Sequence, residues 1–217
     1  KKRKEAISKL NVLTQSIFID MFGNPINNKT QFPKKRLNEI GTLQRGISKH
    51  RPRNDPKLLD GPYPLIQTGD VARSNGIIYH YKKTYSELGL KQSKLWPKGT
   101  LCITIAANIA KTGILGVNAC FPDSVVGFTA SEKATIEYIR VWFIFFQKKL
   151  EDEAPESAQK NINLEILNNL LIQIPPINLQ RKFLEISNSI EINKKNQIIS
   201  QKKIEDLKIS IFSKLIT

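Results

Sequence analysis

The sequence has few of the residues that build metal sites, disulfide frameworks and membrane spans. Its 217 residues include 2 cysteines, 2 histidines and 1 methionine. A transmembrane helix needs a run of about 18 apolar residues, and the most apolar stretch, 141–146, is far shorter. Cys102 and Cys120 have apolar neighbours, which favours buried reduced thiols. Residues 1–4 are not followed by the apolar block of a secretory signal. We therefore expect a cytoplasmic protein that does not span a membrane.

Catalytic motifs are missing as well. The cysteines and histidines are not spaced as zinc ligands, and the sequence contains neither a nucleophile elbow nor a Walker A loop. Pro175 and Pro176 lie between Ile174 and Ile177, so the amide of an amino-methyltransferase motif is absent. No acid–acid–lysine set of nuclease type is evident. The sequence therefore predicts a chain that is not an enzyme and binds neither a metal ion nor a cofactor.

Acidic residues are scarce relative to basic ones. The chain has 34 Lys and Arg against 19 Asp and Glu, which gives a formal net charge of +15. Between Lys29 and Arg53, eight basic residues accompany one acid, Glu39. This excess predicts a polyanionic partner, either nucleic acid or an anionic membrane surface. A generally lysine-rich composition, with no such partner, is the alternative.

The middle of the chain has the pattern of an α+β domain. Short β-branched and apolar segments, with 100–107 the clearest, are separated by glycine-containing turns. A strand over 63–71 is predicted to enter a turn at Gly69 and Asp70, where Asp70 serves as a cap or ion-pair partner. An apolar helix over 135–150 follows. Its Trp142 and Phe143 have helical spacing, which favours a place in the core.

Helical patterns lie at both ends of the chain. Pro175 and Pro176 stop the preceding strand, and a long helix over 183–217 follows with apolar ends and a polar middle. This suits a two-helix coiled coil whose polar centre sets the register. A shorter helix over 5–22 repeats part of the pattern at an offset of 194 residues, including an identical Ser-Ile-Phe triplet. The predicted helix-packing or partner positions are Ile7, Leu10, Ile17, Phe183, Ile186, Ile190, Ile204, Leu207 and Ile211.

Several segments, taken in order, resemble the specificity (S) subunit of type I restriction–modification systems. They are residues 15–25 (ending DMFGNP), 67–71 (QTGDV), 98–113 and 159–183. The usual family chain has two recognition domains and two conserved helices, whereas this chain has one domain between two helix copies. The resemblance implies an N-terminal conserved helix over 1–24, a mixed α/β target-recognition domain over 25–178 and a spacer helix over 179–217.

The resemblance also implies a function. Such a subunit is non-catalytic, reads one half of a bipartite site in double-stranded DNA, and docks methyltransferase subunits that bind S-adenosylmethionine. A restriction motor–nuclease subunit can join, and a one-domain chain can form a homodimer through its long helices. The resemblance also implies a bacterial or archaeal source and no membrane partner. A recognition domain of another restriction–methylation enzyme class, or a coiled-coil interaction protein with incidental charge, would also fit the sequence.

The candidate DNA contacts are basic or amide side chains near predicted loops and turns. Arginine pairs with guanine and Asn or Gln with adenine, while lysine more often binds phosphate. A solvated surface charge is the alternative for each basic residue, and a turn hydrogen bond is the alternative for Gln67 and Asn108. The candidates are Lys49, His50, Arg51, Arg53, Gln67, Thr68, Arg73, Asn75, Lys91, Lys94, Asn108, Lys111 and Thr112.

Overall fold

Helices flank a central sheet in the computed structural model, which describes residues 2–25, 32–107, 109–153 and 162–216. Within these ranges the helices are α1 (Lys2–Phe22), α2 (Thr68–Arg73), α3 (Glu87–Lys91), α4 (Ile136–Glu153), α5 (Leu164–Asn169) and α6 (Ile177–Ile216). The strands are β1 (Lys34–Arg36), β2 (Gly41–Arg45), β3 (Leu59–Leu65), β4 (Ile77–Ile78), β5 (Lys83–Tyr85), β6 (Leu101–Thr104), β7 (Thr112–Leu115), β8 (Val125–Ala130) and β9 (Leu171–Gln173). The α+β prediction is confirmed.

The central sheet has five strands in the order β2-β8-β6-β7-β4. Its pairings are antiparallel except that of β4 with β7, which is parallel. Two smaller sheets, β1-β9 and β3-β5, pair segments from outside the central sheet. The strands of the central sheet are shorter than their sequence patterns suggest, because the apolar segments continue into buried loops.

The register brings several loops to one end of the central sheet. Arg45, the last residue of β2, pairs with Val126, and Thr104, the last of β6, pairs with Val125. Ile103 pairs with Thr112, the first residue of β7. Parallel pairing with β7 places the start of β4 at this end too. We call this region the loop end; it comprises residues 45–53, 74–76, 105–107, 109–111 and 122–124.

The main core lies between the central sheet and α4. Leu101, Ile103 and Phe128 of the sheet are fully buried with Trp142 and Phe143 of α4. This confirms the prediction that these aromatic residues belong to the core. Burial of such side chains contributes roughly 1.5–3 kcal/mol each relative to exposure, so the α4 contact is a principal source of stability.

Aromatic rings attach the two terminal helices to this core. Phe18 of α1 lies 5.2 Å from the Tyr138 ring and 5.5 Å from the Phe183 ring of α6. Phe22 contacts the same two rings, at 4.9 and 5.5 Å. The two helices therefore share one aromatic cluster with α4, which we call the aromatic joint (Phe18, Phe22, Tyr138, Phe145 and Phe183).

Helices α1 and α6 run in opposite directions. The C-terminal end of α1 contacts Phe183 near the start of α6, whereas Asn11 and Thr14 lie with Lys194 around one cavity further along. With 40 residues against 21, α6 is about 60 Å long and α1 about 32 Å. Part of the long helix is therefore paired with α1 of its own chain.

The predicted helix-packing positions fall into three groups. Ile17 packs on the main core and Ile190 and Phe183 are buried, while Leu10 is half-buried. Ile186, Ile204 and Ile211 are 39%, 41% and 55% exposed. The side chains of Ile7 and Leu207, and residue Thr217, lie outside the described part of the structure. The role of the exposed isoleucines as partner contacts stays a prediction.

Some local predictions are wrong and others are confirmed. The strand predicted over 63–71 ends at Leu65 as β3, and the long helix predicted from 183 begins at Ile177 as α6. The turn predicted at Gly69 and Asp70, with Thr68 beside it, is the first part of α2. The Asp70 carboxylate accepts a hydrogen bond from the Gln67 backbone N–H at 3.0 Å, and this cap starts a helix where the sequence suggested a turn. The predicted cap role of Asp70 is thus confirmed. Both cysteines are free and buried, also as predicted.

Candidate nucleic-acid interface

The basic loop that follows β2 is held against the segment after α3. The backbone N–H groups of Lys49 and His50 donate to the backbone and side-chain carbonyls of Gln92, at 3.3 and 3.0 Å. The Ser93 hydroxyl donates to the Ile47 carbonyl at 2.8 Å. These contacts bring Lys49 and His50 close to two lysines, Lys91 and Lys94, that are distant in sequence. The His50 ring also lies 3.1 Å from the Asp55 carboxylate.

Three arginines converge on Asp123, which precedes β8. Arg53 Nη2 lies 2.5 Å from Asp123 Oδ1, and Arg51 Nη2 lies 3.5 Å from Oδ2. Arg45 Nε donates to the Asp123 carbonyl at 2.9 Å. Arg51 also donates to the carbonyls of Ser48 and His50. The side chains of Arg51 and Arg53 are still 54% and 46% exposed. We call Arg45, Arg51, Arg53 and Asp123 the arginine cluster.

Lys94 extends the positive surface along the sheet. Its ammonium donates to the Gln44 side-chain carbonyl at 2.7 Å and lies 3.9 Å from the centre of the Trp96 ring. Trp96 is buried and stacks on Phe121 at 4.7 Å. A cation–π contact of this kind holds a lysine in one position. Gln44 precedes Arg45 in β2, so Lys94 adds a positive charge near the end of this strand, on the sheet face opposite to the Arg45 side chain.

A second polar group lies on the other side of the loop end, beside α4. Lys111 Nζ donates to the Gln147 side chain at 3.0 Å, and Thr112 Oγ1 lies 3.5 Å from the Arg140 carbonyl. Asn75, Lys111 and Thr112 line a cavity of about 180 Å³ between this end of the sheet and α1, α4 and α6. Asn75 has a positive φ of 52°, a conformation that asparagine adopts more readily than most residues.

The arginine cluster and this second group are separated by the width of the sheet. The first follows β2, at one edge, and the second lies at β7 and β4, at the other edge. Three strand spacings of about 4.8 Å separate β2 from β7, where Lys111 and Thr112 lie, and a fourth leads to β4, so the separations are roughly 14 and 19 Å. The loop end therefore carries polar and basic side chains over a surface wider than the major groove of DNA, which is about 12 Å.

The loop between these groups has a fixed, unusual backbone. Ala107 and Ala110 have φ values of 63° and 55°, which costs on the order of 1–2 kcal/mol for each non-glycine residue. The Ala110 N–H donates to the Thr104 carbonyl at 2.9 Å, and the Thr104 N–H donates to the Lys111 carbonyl at 3.0 Å. These two bonds connect the end of the loop to the end of β6. Strain of this kind is frequent at functional sites.

Helix α2 carries the remaining candidates. Gln67 caps the helix through its backbone, and Thr68 is its first residue. Arg73 is 63% exposed and pairs with Asp70 at 3.1 Å, near the end of the helix that leads to Asn75. Gln67 and Thr68 are one helix length further from the loop end. Asn108 lies outside the described residues.

A buried ion cluster connects the domain to α6. Two Arg140 nitrogens donate to the two Glu137 oxygens at 2.6 and 2.7 Å, and the Ser187 hydroxyl donates to Glu137 as well. Lys194 pairs with Glu191 nearby. Burial disfavours ionisation of Glu137, but the adjacent Arg140 guanidinium prevails, and the pKa of this carboxyl is below its ordinary value. Glu137 and Arg140 are 6% and 5% exposed.

Sequence reasoning found the basic loop but missed its organisation. The candidates did not include Arg45, Gln44 or Asp123. Asp123 binds Arg53 directly, but the two residues are 70 positions apart in the sequence. Asp123 follows Pro122 immediately before an apolar strand, which indicates a turn residue but not its partner. The Glu137 and Arg140 pair, three residues apart on a helix, is a recognisable sequence signal.

Other kinds of site receive no support within the described ranges. No group of three or more His, Cys, Asp or Glu side chains there could hold a metal ion. Nor is any helix in that part of the chain sufficiently long and apolar to cross a membrane. The chemistry of the described surface is thus dominated by basic and amide side chains at the loop end.

Comparison with solved structures shows which proteins share this fold. An HsdS subunit from Thermoanaerobacter tengcongensis has a TM-score of 0.63 at 16% identity, over 98% of this chain and 52% of that one. A chain from a structure of complex assembly and conformational transition in a type I R-M system has a TM-score of 0.61 at 18% identity, and the match covers 98% of this chain and 53% of that one. The type I restriction-modification S subunit from M. genitalium has a TM-score of 0.59 at 11% identity, and the match covers 96% of this chain and 54% of that one. The chain thus spans about half the length of these solved chains.

A sequence family also matches most of the chain. The match, to the family described as the type I restriction modification DNA specificity domain, extends over residues 29–208. It includes the central sheet, the loop end, the aromatic residues of α4 and most of α6. The resemblance drawn from the sequence is confirmed: this chain belongs to the family of type I restriction modification DNA specificity domains.

Proposed function

We propose that this chain is a specificity component of a type I restriction–modification system that reads one half of a bipartite site in double-stranded DNA. Its family membership supports the role in DNA specificity. The observation that carries the proposal is the loop end, where the arginines that follow β2 and Lys111 before β7 are separated by three strand spacings, or roughly 14 Å. Basic groups with this separation suit contacts to phosphates on both sides of a major groove.

The antiparallel pair of α1 and α6 is proposed to act as spacer and docking surface. Ile192 and Ile198 on α6 and Val12 on α1 are 61%, 52% and 59% exposed. Apolar side chains repeated along exposed helices suit packing against other helices. We propose methyltransferase subunits as the partners, with S-adenosylmethionine bound by them and no cofactor or catalytic step in this chain. A restriction motor–nuclease subunit and a second copy of this chain are further proposed partners, all in the cytoplasm.

Mapping of methylated adenines tests this proposal. The chain is produced with a methyltransferase subunit of the same system, and the methylated sites are read by long-read sequencing. A split palindromic motif would indicate two identical recognition domains, hence a dimer of this chain. A split asymmetric motif that needs a second recognition domain would indicate one half of a two-domain arrangement. An intact complex without any motif would refute the DNA-reading role and favour a coiled-coil interaction protein.

Replacement of Arg51 by alanine tests the interface itself. A guanidinium that reads a base contributes about 1–3 kcal/mol at one position of the site, whereas a phosphate contact weakens all sequences equally. Arg181→Ala is the matched control, because Arg181 is exposed and follows Gln180, whose side chain binds the Thr135 N–H beyond the opposite end of β8. If both variants bind DNA like the parent chain, Arg51 does not belong to the interface.

A further inference from the structure

Asp123 is an acidic residue inside a surface that otherwise favours phosphate. Its carboxylate contacts Arg51 and Arg53, and its backbone carbonyl accepts from Arg45. The carboxylate is 33% exposed, so it faces the same solvent as the arginines that it holds. An anion in this place repels DNA phosphates, which requires a compensating reason for its presence at the loop end.

The backbone around Asp123 is fixed on both sides. Val125 N–H donates to the Pro122 carbonyl at 3.0 Å, and Gly46 N–H donates to the Val125 carbonyl at 2.8 Å. The turn before β8 is therefore tied to the end of β2, from which the basic loop begins. A carboxylate on such a support is a stationary acceptor, whereas the arginines reach it from a long loop.

Arginine side chains that are held before binding are better base readers than free ones. A free arginine loses rotamer freedom when it pairs with a guanine edge, and a pre-held arginine has already lost it. Arg51 is held at three points, by the carbonyls of Ser48 and His50 and by Asp123. The remaining donors of its guanidinium then have a defined direction. Arg53 depends on Asp123 for its described contact.

We propose that Asp123 is a specificity-determining residue, which positions Arg51 and Arg53 for base reading and weakens binding to DNA of unrelated sequence. This inference rests on the proposed DNA-reading function. The two effects have opposite signs for a variant that lacks the charge. Loss of the carboxylate removes a repulsion and so strengthens binding to every DNA sequence, whereas release of Arg51 and Arg53 from their base-reading position weakens the preference for the specific sequence.

The test compares Asp123→Asn with Asp55→Asn in the full chain. Asp55 lies in the same basic loop, and its carboxylate accepts from the Lys57 N–H at 3.0 Å and lies beside His50. Each variant removes one negative charge from the same region, and asparagine preserves the turn at position 55 because it caps as well as aspartate. A preferred duplex is first selected from a random pool with the parent chain. Binding of that duplex and of an unrelated duplex is then titrated at several salt concentrations.

We expect both variants to bind the unrelated duplex more tightly than the parent does. Only Asp123→Asn should lower the ratio of specific to unrelated affinity, by at least about fivefold, which is the lower limit for one bidentate arginine–base pair. Its binding to the unrelated duplex should also depend more steeply on salt, by about 0.9 in the logarithmic slope for each added phosphate contact. An effect on folding alone would instead weaken binding to both duplexes.

The outcomes separate this inference from the function on which it rests. If the parent selects a duplex and both variants keep its affinity ratio, the role of Asp123 is refuted while the DNA-reading function stands. Weaker binding of Asp123→Asn to both duplexes would make Asp123 a merely structural residue and would also refute the inference. If the parent selects no sequence, the proposed function fails and the role of Asp123 fails with it.

Discussion

Truncation of Phe18 to alanine is the most direct test of how α1 is attached. The Phe18 side chain is 1% exposed, and four aromatic rings lie with their centres 4.9–5.5 Å from its own. These rings come from α1, α4 and α6, so Phe18 contacts every other ring of the aromatic joint. Its removal leaves a cavity that several helices would need to move to fill.

The expected loss is about 3–5 kcal/mol in the free energy of unfolding, the usual range for a buried Phe→Ala change. Edge-to-face and offset-stacked contacts of the kind seen here each account for about 0.5–1.5 kcal/mol of such values. Urea unfolding followed by tryptophan fluorescence measures the change, because Trp142 lies in the same core. With a slope of about 3 kcal/mol per molar urea, the midpoint should fall by about 1–2 M.

Ile19→Ala is the control for this experiment. Ile19 is the next residue on α1 and is 41% exposed, so its truncation should change stability by about 0.5 kcal/mol or less. A loss below about 1 kcal/mol for Phe18→Ala, or equal losses for the two variants, would refute the view that the aromatic joint fixes α1 to the domain.

Three further predictions concern the buried ion cluster and the strained loop. Arg140→Met should destabilise the chain by about 3–5 kcal/mol, because Glu137 is left buried without its partner, and a Glu137→Gln/Arg140→Met double variant should recover part of this loss in urea unfolding. The pKa of Glu137 is lowered in the folded chain from 4.5, so the stabilisation of the fold by this carboxylate is complete above about pH 4.5 and is lost as the pH falls through the folded-state pKa. Unfolding measured from pH 2 to 7 should therefore show a smaller loss of stability in acid for Glu137→Gln than for the parent chain. An unchanged pH profile would contradict this. Ala107→Gly should stabilise by about 0.5–1 kcal/mol because its φ is positive, whereas Ala72→Gly within α2 should destabilise by about 1 kcal/mol; thermal unfolding that moves both variants in one direction would refute the strain argument.

The elements that sequence reasoning located are those with strong local signals. Pro175 and Pro176 exclude both strand pairing and helix interior, and α6 begins directly after them at Ile177, six residues before the start that the apolar spacing predicted. Gly23 has a φ of 77° and ends α1, as the sequence predicted, because glycine adopts this conformation without strain. In both cases the deciding chemistry lies within a few residues of the boundary.

What sequence reasoning missed depends on contacts between distant segments. The start of α2 was predicted as a turn because the apolar pattern of 63–71 favours a strand, whereas the Asp70 carboxylate caps a helix there through the Gln67 N–H. The contact of Ser187 with Glu137 joins residues 50 positions apart, and no local pattern indicates it. The loop end is likewise a product of strand order, since β2, β8, β6, β7 and β4 become neighbours only in the folded sheet.

The length of α6 has a mechanical consequence for the position of its far end. The last hydrogen bond described from α6 to the ion cluster of α4 is that of Ser187 to Glu137, and 29 residues, or roughly 44 Å of helix, continue beyond it, part of them paired with α1. A tilt of about 5° at that point would move the far end of α6 by roughly 3.8 Å, which is comparable to the 3.4 Å rise of one base pair. Any looseness near the start of α6 is thus magnified at its far end, and the contacts that limit it are the hydrogen bond of Ser187 to the buried Glu137 and the packing of Phe183 in the aromatic joint.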